Sequence, residues 1–182
     1  MLFRETKLSG SFVISLEKKS DHRGFMTRVW DKNIFSKKDL ASKIVNCNIS
    51  FSKKKGTIRG LHYQISPYRE DKLIRCTRGS IFDVIIDLRP KSSTYKKWFG
   101  IKLQSSDYKL LFVPKGFAHG FLTLEDETEV FYQNSEYYMP KYERGIRWDD
   151  DEFCIKWPIS VTTVSKKDKS WKKFSEISRT IK

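Results

Sequence analysis

Short runs in which apolar and polar residues alternate cover most of the chain, and this period of two is that of half-buried β-strands. The pattern predicts strands over residues 12–16, 25–30, 44–51, 58–64, 72–77, 81–88, 98–103, 110–114, 117–124 and 129–135. Turn residues separate them: Asp21-His22-Arg23-Gly24, a hairpin turn at Arg78-Gly79-Ser80, Ser105-Ser106-Asp107, and the acidic Glu125-Asp126-Glu127. The last two turns are expected to pair 98–103 with 110–114 and 117–124 with 129–135. In 81–88, Phe82, Val84, Ile86 and Leu88 fall on one face and Asp83 and Asp87 on the other. In 44–51, Asn46, Asn48 and Ser50 share a face.

Helical spacing occurs in two places. Residues 31–43 carry Ile34, Phe35 and Leu40 among lysines, with Ser36 as the expected N-cap and Phe35 with Leu40 as a hydrophobic staple. The tail from Ser165 to Lys182 spaces Trp171, Phe174 and Ile177 for one helical face and is rich in lysine. Many short strands, regular turns and few helices predict an all-β sandwich or barrel of jelly-roll type. No repeat, linker or low-complexity segment divides the 182 residues, so a single domain over 1–182 is expected. Exposed sheet edges would need closure or dimerisation to cover them.

Composition adds limits. The net charge is +14, yet the lysines come as scattered pairs such as Lys18-Lys19, Lys96-Lys97 and Lys172-Lys173, with no basic helix or arm. This is a solvated surface that also suits a phosphorylated small substrate, and no nucleic-acid partner is expected. No apolar run is long enough to span a bilayer, and the first twenty residues lack the apolar core of a signal peptide, so no membrane association and a cytoplasmic location are expected. Three widely spaced cysteines, Cys47, Cys76 and Cys154, fit reduced, buried thiols better than a disulfide framework.

Candidate chemistry concentrates in two stretches. Gly56 to Gly79 holds Arg59, His62, Gln64 and Lys72 on a strand–loop–strand pattern, and His119 lies in a Pro-Gly turn within 113–124. The chain has one further histidine, His22. The two stretches are expected to face each other across a β-barrel. His62 and Gln64 share a strand face, whereas Arg59 has the other parity unless a twist or bulge re-aims it.

The spacing of Gly56, His62-Tyr63-Gln64, Glu70 and Gly79, followed by Pro114-Lys115-Gly116-Phe117-Ala118-His119, resembles the two half-motifs of the cupin superfamily. Metal-binding cupins ring an ion with His, His, Glu and His. Gln64 stands where the second histidine would be, and a carboxamide is a poor ligand for such ions, so a metal-free barrel using His62 as a base is expected.

Residues 21–168 also resemble the dTDP-4-dehydrorhamnose 3,5-epimerase family. The matching strings are Asp21-His22-Arg23-Gly24-Phe25, the run from Gly56 to Gln64, the run from Asp83 to Arg89, Ser93-Thr94-Tyr95 and the run from Pro114 to Phe121. The match continues through Tyr137-Tyr138-Met139-Pro140, Arg147-Trp148-Asp149-Asp150, Ile155-Lys156-Trp157-Pro158 and Ser165-Lys166-Lys167-Asp168. The resemblance implies a metal- and cofactor-independent cupin jelly roll. It also implies a homodimer with its N-terminal strands against the partner, acting as an isomerase on a nucleotide-diphosphate-linked 4-keto-6-deoxysugar. It makes His62 the general base with Asp168 oriented against it, Tyr132 the opposing acid, and Lys72 and Arg59 the groups that hold the keto oxygen and the sugar nucleotide. His119 becomes a pocket residue, and Arg23, Tyr138 and Glu143 nucleotide-binding or framing residues.

Those residue types suit the reaction. A C–H beside a ketone is acidic because its anion is an enolate. Inversion needs a base on one face of the sugar and an acid on the other, and a neutral imidazole can accept the proton near pH 7. Two departures fall where nucleotide and sugar are expected: Arg28 replaces the family's usual glutamate, and Asn46 replaces a glutamine in the strand that also carries Asn48. The nucleotide base and the choice of C3, C5 or both therefore stay open. The rival activities are a nucleotide-sugar 3,4-ketoisomerase and a non-catalytic sugar-binding cupin.

Overall fold

The computed structural model describes residues 1–40 and 43–177. In chain order its strands are β1 (Leu2–Glu5), β2 (Phe12–Ser15), β3 (Lys19–Asp21), β4 (Gly24–Met26), β5 (Asn46–Ser52), β6 (Ile58–Gln64), β7 (Lys72–Arg78), β8 (Ser80–Asp87), β9 (Trp98–Gln104), β10 (Lys109–Val113), β11 (Phe117–Thr123), β12 (Thr128–Asn134) and β13 (Glu143–Gly145). The helices are α1 (Lys32–Ser36), α2 (Lys166–Ser170) and α3 (Phe174–Ile177). A six-stranded sheet in the order β1-β2-β10-β7-β12-β5 packs on a five-stranded sheet in the order β13-β6-β11-β8-β9, and β3 pairs only with β4 in a separate ribbon. The strands of both sheets pair antiparallel. This is the expected jelly roll.

Strand positions match the apolar alternation closely, but the expected partners do not. β9 and β10 do not pair with each other, and neither do β11 and β12, nor β7 and β8. Each short turn carries the chain from one sheet to the other, because alternation fixes which residues share a face and says nothing about which strand lies alongside. The turn at Gly79 shows how tight the crossing is: φ is +73°, and a Cβ there would lie 2.7 Å from Thr128 Oγ1.

The main core fills the space between the sheets, with Ile74, Cys76, Leu111, Val113 and Val130 meeting Ile81, Ile85, Leu103, Phe117 and Phe121. The Phe82–Leu88 face of β8 packs instead into a second cluster with Leu61, Tyr63, Ile146, Phe153 and Phe174. A third cluster joins Phe35 of α1 to Ile14, Leu73, Leu110 and Phe112. Both faces of β8 are therefore covered, and Asp83 and Asp87 are wholly buried.

Helical expectations needed more correction. Asp31, not Ser36, caps α1, its Oδ1 accepting from the Asn33 and Ile34 N–H groups at 3.0 and 3.1 Å. Ser36 is the last helical residue, and Leu40 joins Phe35 in the core beyond the helix rather than as a staple; part of the expected helix, 41–42, lies outside the described residues. The tail forms two single turns, because Trp171 is extended (ψ 142°) and the chain re-enters helix at Phe174; its last residues, 178–182, lie outside the described residues. β4 stops at Met26, short of the expected 25–30. Of the thiols only Cys76 is buried; Cys47 lies on the outward face of β5 and Cys154 in an exposed turn. Among the described residues no helix is long and apolar enough to cross a membrane.

Phe174 is 1% exposed and ties the tail to the second cluster, with its ring 5.1 Å from that of Phe153. Phe174→Ala is expected to lower stability by about 3–5 kcal/mol in denaturant unfolding, because a cavity replaces a buried ring.

Candidate active site

A cleft of about 470 Å³ opens between the two sheets. One wall is β6 and β11, whose ladder sets His62 directly beside His119. The β6 half of the first stretch thus lies beside His119 in one sheet, and only its β7 half, with Lys72, faces His119 across the cleft. The ladder slips between His119 and Phe121: His62 opposes His119 and Arg59 opposes Phe121, so β6 carries one extra residue. Gly60 sits at this bulge with φ +111°, and a Cβ on it would come within 2.7 Å of Gly120 Cα. The bulge turns Arg59, otherwise of the wrong parity, toward the same cleft as His62. The six-stranded sheet supplies the other wall through Lys72 of β7, Tyr132 of β12 and Ser50 of β5.

His62 Nε2 lies 2.6 Å from Asp168 Oδ1. Asp168 arrives from the tail, on the first turn of α2, where Ser165 Oγ caps its N–H at 3.0 Å. Its second oxygen accepts the Gly60 N–H at 3.4 Å. Burial opposes ionisation of Asp168, but the bond to His62, its charge and the Gly60 N–H outweigh it, so the carboxyl lies below its ordinary range. An ionised carboxylate only accepts, so Nε2 of His62 carries a proton, and in the neutral ring the lone pair is on Nδ1. Tyr132 is pushed the other way: burial, then the nearby Glu70 carboxylate, raise its phenol, with Arg59 opposing. It therefore holds its proton at neutral pH.

The charges at the cleft are paired, with one exception. Lys72 Nζ lies 3.1 Å from Glu70, with both side chains largely buried. Lys167 Nζ and the Tyr138 hydroxyl, the latter at 2.6 Å, both donate to Glu143 Oε2. Burial works against the Glu143 charge, and those two hydrogen bonds, with His62 and Lys167 nearby, hold its carboxyl below the usual range. His119 Nε2 bonds Asp83 Oδ1 at 2.6 Å. Arg59 has no carboxylate partner among the described residues; it donates to Ser52 Oγ at 3.1 Å and to the Phe51 carbonyl at 2.8 Å. The cleft thus offers one uncompensated guanidinium, suited to an anion.

Other expected residues lie elsewhere. Gln64 is buried and spent on two loops, the one after β6 and the one between β12 and β13: its amide donates to the Tyr68 and Tyr137 carbonyls and accepts from the Met139 N–H. Asn46 accepts from Asn48 and Asn134 at the start of β5, ahead of the Ser50 that lines the cleft. Arg23 pairs with Asp21 on the exposed β3–β4 ribbon, and Arg28 with Asp31 beyond it, both outside this chain's own cleft. Tyr138 and Glu143 stand beside the cleft through Lys167.

Sequence reading did not single out Asp83, Glu70 as the partner of Lys72, or Lys167. The signals for Asp83 were its place with Asp87 on one face of an otherwise apolar strand and at the head of a family-matching run. As for a metal, the donors that a cupin would use are each bonded otherwise: His62 to Asp168, His119 to Asp83, Glu70 to Lys72 and Gln64 to backbone. Among the described residues no three His, Cys, Asp or Glu side chains converge as a metal site requires.

The family model described as dTDP-4-dehydrorhamnose 3,5-epimerase matches residues 5–176. A dTDP-4-dehydrorhamnose 3,5-epimerase of Methanothermobacter thermautotrophicus is 41% identical over 177 residues, covering 96% of this chain and 95% of that one. The crystal structure of the Bacillus anthracis enzyme of that name, with TDP and PPi bound, superposes with a TM-score of 0.90 at 38% identity, covering 94% of this chain and 98% of that one. A Legionella pneumophila dTDP-6-deoxy-D-glucose-3,5-epimerase, in complex with dTDP-4-keto-L-rhamnose, gives 0.91 at 31% identity over 99% of this chain and 96% of that one.

The depressed Asp168 carboxyl has a consequence for stability. Its stabilisation is complete above its ordinary value of 3.8 and is lost as pH falls through the lower folded value. Asp168→Asn should therefore lose less thermal stability than the parent when pH falls from about 5 to about 2, because the variant has no such proton to take up. Parallel melting curves across that range check it.

Proposed function

The chain belongs to the dTDP-4-dehydrorhamnose 3,5-epimerase family, and we propose on that premise that it inverts C3, C5 or both in a nucleotide-linked 4-keto-6-deoxyhexose during deoxysugar biosynthesis. The observation that carries this reading is the histidine–carboxylate pair on one wall of the cleft and a protonated phenol on the other. His62 Nδ1 takes the proton from carbon beside the ketone, and Asp168 stabilises the imidazolium that forms. Lys72 faces the keto oxygen, where its ammonium stabilises the enolate, an effect worth about 3–4 kcal/mol when made by one donor. Tyr132 returns a proton from the opposite face, which inverts the centre. Arg59 receives the diphosphate, and Lys167 with Tyr138 and Glu143 frames the nucleotide end.

The reaction is tested by incubating the protein in D₂O with dTDP-, CDP- and GDP-linked 4-keto-6-deoxysugars and following C3, C5 and the carbonyl by NMR. Epimerisation exchanges protons and leaves the carbonyl at C4. A carbonyl that moves to C3 would mean ketoisomerisation, and binding without exchange a non-catalytic role. His62→Asn is expected to abolish exchange and inversion together, a loss of about a hundred- to ten-thousand-fold. Tyr132→Phe should still admit deuterium, with little inversion. A Tyr132→Phe protein that inverts as often as it exchanges would move the acid role to another residue, Tyr138 first.

We infer further that two copies form a two-fold homodimer through the N-terminal strands. All six residues of the β3–β4 ribbon are exposed, Phe25 and Met26 among them, and the free edge strand β5 turns Ile49 (66% exposed) and Phe51 outward. Such an edge needs covering. Arg23, remote from its own cleft, can serve a nucleotide only in a second copy. His62→Asn and Arg23→Glu proteins, each inactive alone, should therefore recover activity when mixed under subunit exchange, since hybrid dimers contain one intact site. No recovery, or a monomer by sedimentation, would oppose this arrangement. The reading carries a cytoplasmic location with it, in keeping with three unpaired thiols.

A further inference from the structure

The cleft contains two histidine–aspartate pairs on neighbouring strands, and they differ in what the far oxygen of each carboxylate meets. Asp168 Oδ2 receives the Gly60 N–H. Asp83 is 0% exposed, and its Oδ2 is buried with no hydrogen-bond partner. Among the described residues the one polar contact of the Asp83 carboxylate is Oδ1 to His119 Nε2 at 2.6 Å.

A carboxylate with a buried, unpartnered oxygen is tolerated when the pair it belongs to carries no net charge; an isolated buried charge is far too costly. Two arrangements satisfy this for His119 and Asp83. In one an imidazolium faces a carboxylate, and in the other a neutral imidazole accepts from a carboxylic acid. They differ only in where the shared proton sits between Oδ1 and Nε2. In both, the other ring nitrogen of His119, Nδ1, carries a proton.

The surroundings leave this balance to Asp83. His62 stands beside His119 on β6, with Arg59 next along, and the opposite wall supplies Lys72 and Tyr132. From the tail come Lys167 and Asp168. Lys72, Lys167 and His62 are matched by Glu70, Glu143 and Asp168. Among the described residues Asp83 alone bonds His119. Nδ1 of His119 bonds none of the described groups and is not among the sealed, unpartnered atoms, while the residue lines the cleft. It is open to a ligand.

We propose that Asp83 is a positioning residue that keeps Nδ1 of His119 protonated, making His119 a hydrogen-bond donor to a sugar oxygen beside the base His62. Two like pairs, one ladder step apart, thus hold opposite protonation at the nitrogen that faces the substrate: a lone pair on His62 and an N–H on His119. The acceptor, an oxygen of a 4-keto sugar, rests on the proposed epimerisation. The proton on Nδ1 is a property of the free protein.

The test is a long-range nitrogen–proton NMR correlation on protein labelled with ¹⁵N-histidine, without substrate. Three histidines give three patterns, assigned with His22→Gln and His62→Asn samples. At neutral pH His62 should show a bare Nδ1 and His119 a protonated one. A bare Nδ1 on His119 overturns the proposal, whatever the activity. In Asp83→Asn the carboxylate that holds Nε2 is gone, so the His119 pattern should change and kcat should fall by up to about a hundredfold, with KM little changed. A His119 pattern and kcat identical in variant and parent would also overturn it. Should Asp83→Asn not fold, the parent spectrum decides alone. Absence of deuterium wash-in with the N–H in place would remove the proposed reaction and leave this assignment standing.

Discussion

The close approach of Gly60 to Gly120 fixes the rest of the site. A side chain on either would drive a carbon into the opposing backbone, at 2.7 Å from Gly120 Cα in one case and 2.6 Å from the Arg59 carbonyl in the other. Only with both glycines can β6 carry an extra residue against β11 and still pair on each side of it. That extra residue puts Arg59 and His62 on one face, beside His119. The same turn of chain aims the Gly60 N–H at Asp168, which anchors the tail's carboxylate to the strand that bears its histidine. Cation, base and orienting acid are thus arranged by backbone packing before any side chain is chosen.

Around this frame the cleft is organised by charge pairing in a confined space. Lys72, Lys167, His62 and His119 each face a carboxylate, which orders the groups without substrate, and the two lysine pairs bury little net charge. Arg59 is the exception, held by a serine hydroxyl and a carbonyl. The surplus of positive charge is therefore placed at one point, where an anionic ligand gains from it. The overall charge of +14 hides this, because most of it lies on scattered exposed lysines.

The outer surface of the six-stranded sheet is finished unevenly. Where α1 lies, Phe35 completes a core with Leu73, Leu110 and Phe112. Toward β5 the alternation is inverted relative to solvent: Asn46, Asn48 and Ser50 turn inward, while Cys47, Ile49 and Phe51 face out. Strand β5 needs a polar inner face because it borders the cleft, and its apolar face is left for contact with another surface. The proposed pairing of copies would cover that face and the β3–β4 ribbon together.

The sequence by itself determined most of the strands and the jelly-roll class, because alternation is a local property, and through the family resemblance it named His62, Asp168, Lys72 and Tyr132 as candidates. It also showed Arg59 to be out of parity with His62, the mark of a bulge still unseen. The tertiary structure alone decided which strands pair, since each turn crosses between sheets and a period of two does not encode a neighbour. It alone seated Asp83 against His119, committed Gln64 to loop backbone, moved the α1 cap to Asp31 and removed Arg23 and Arg28 from their own cleft. Those outcomes depend on contacts between residues far apart in the chain, and burial and hydrogen-bond satisfaction are settled only when the two sheets close on each other.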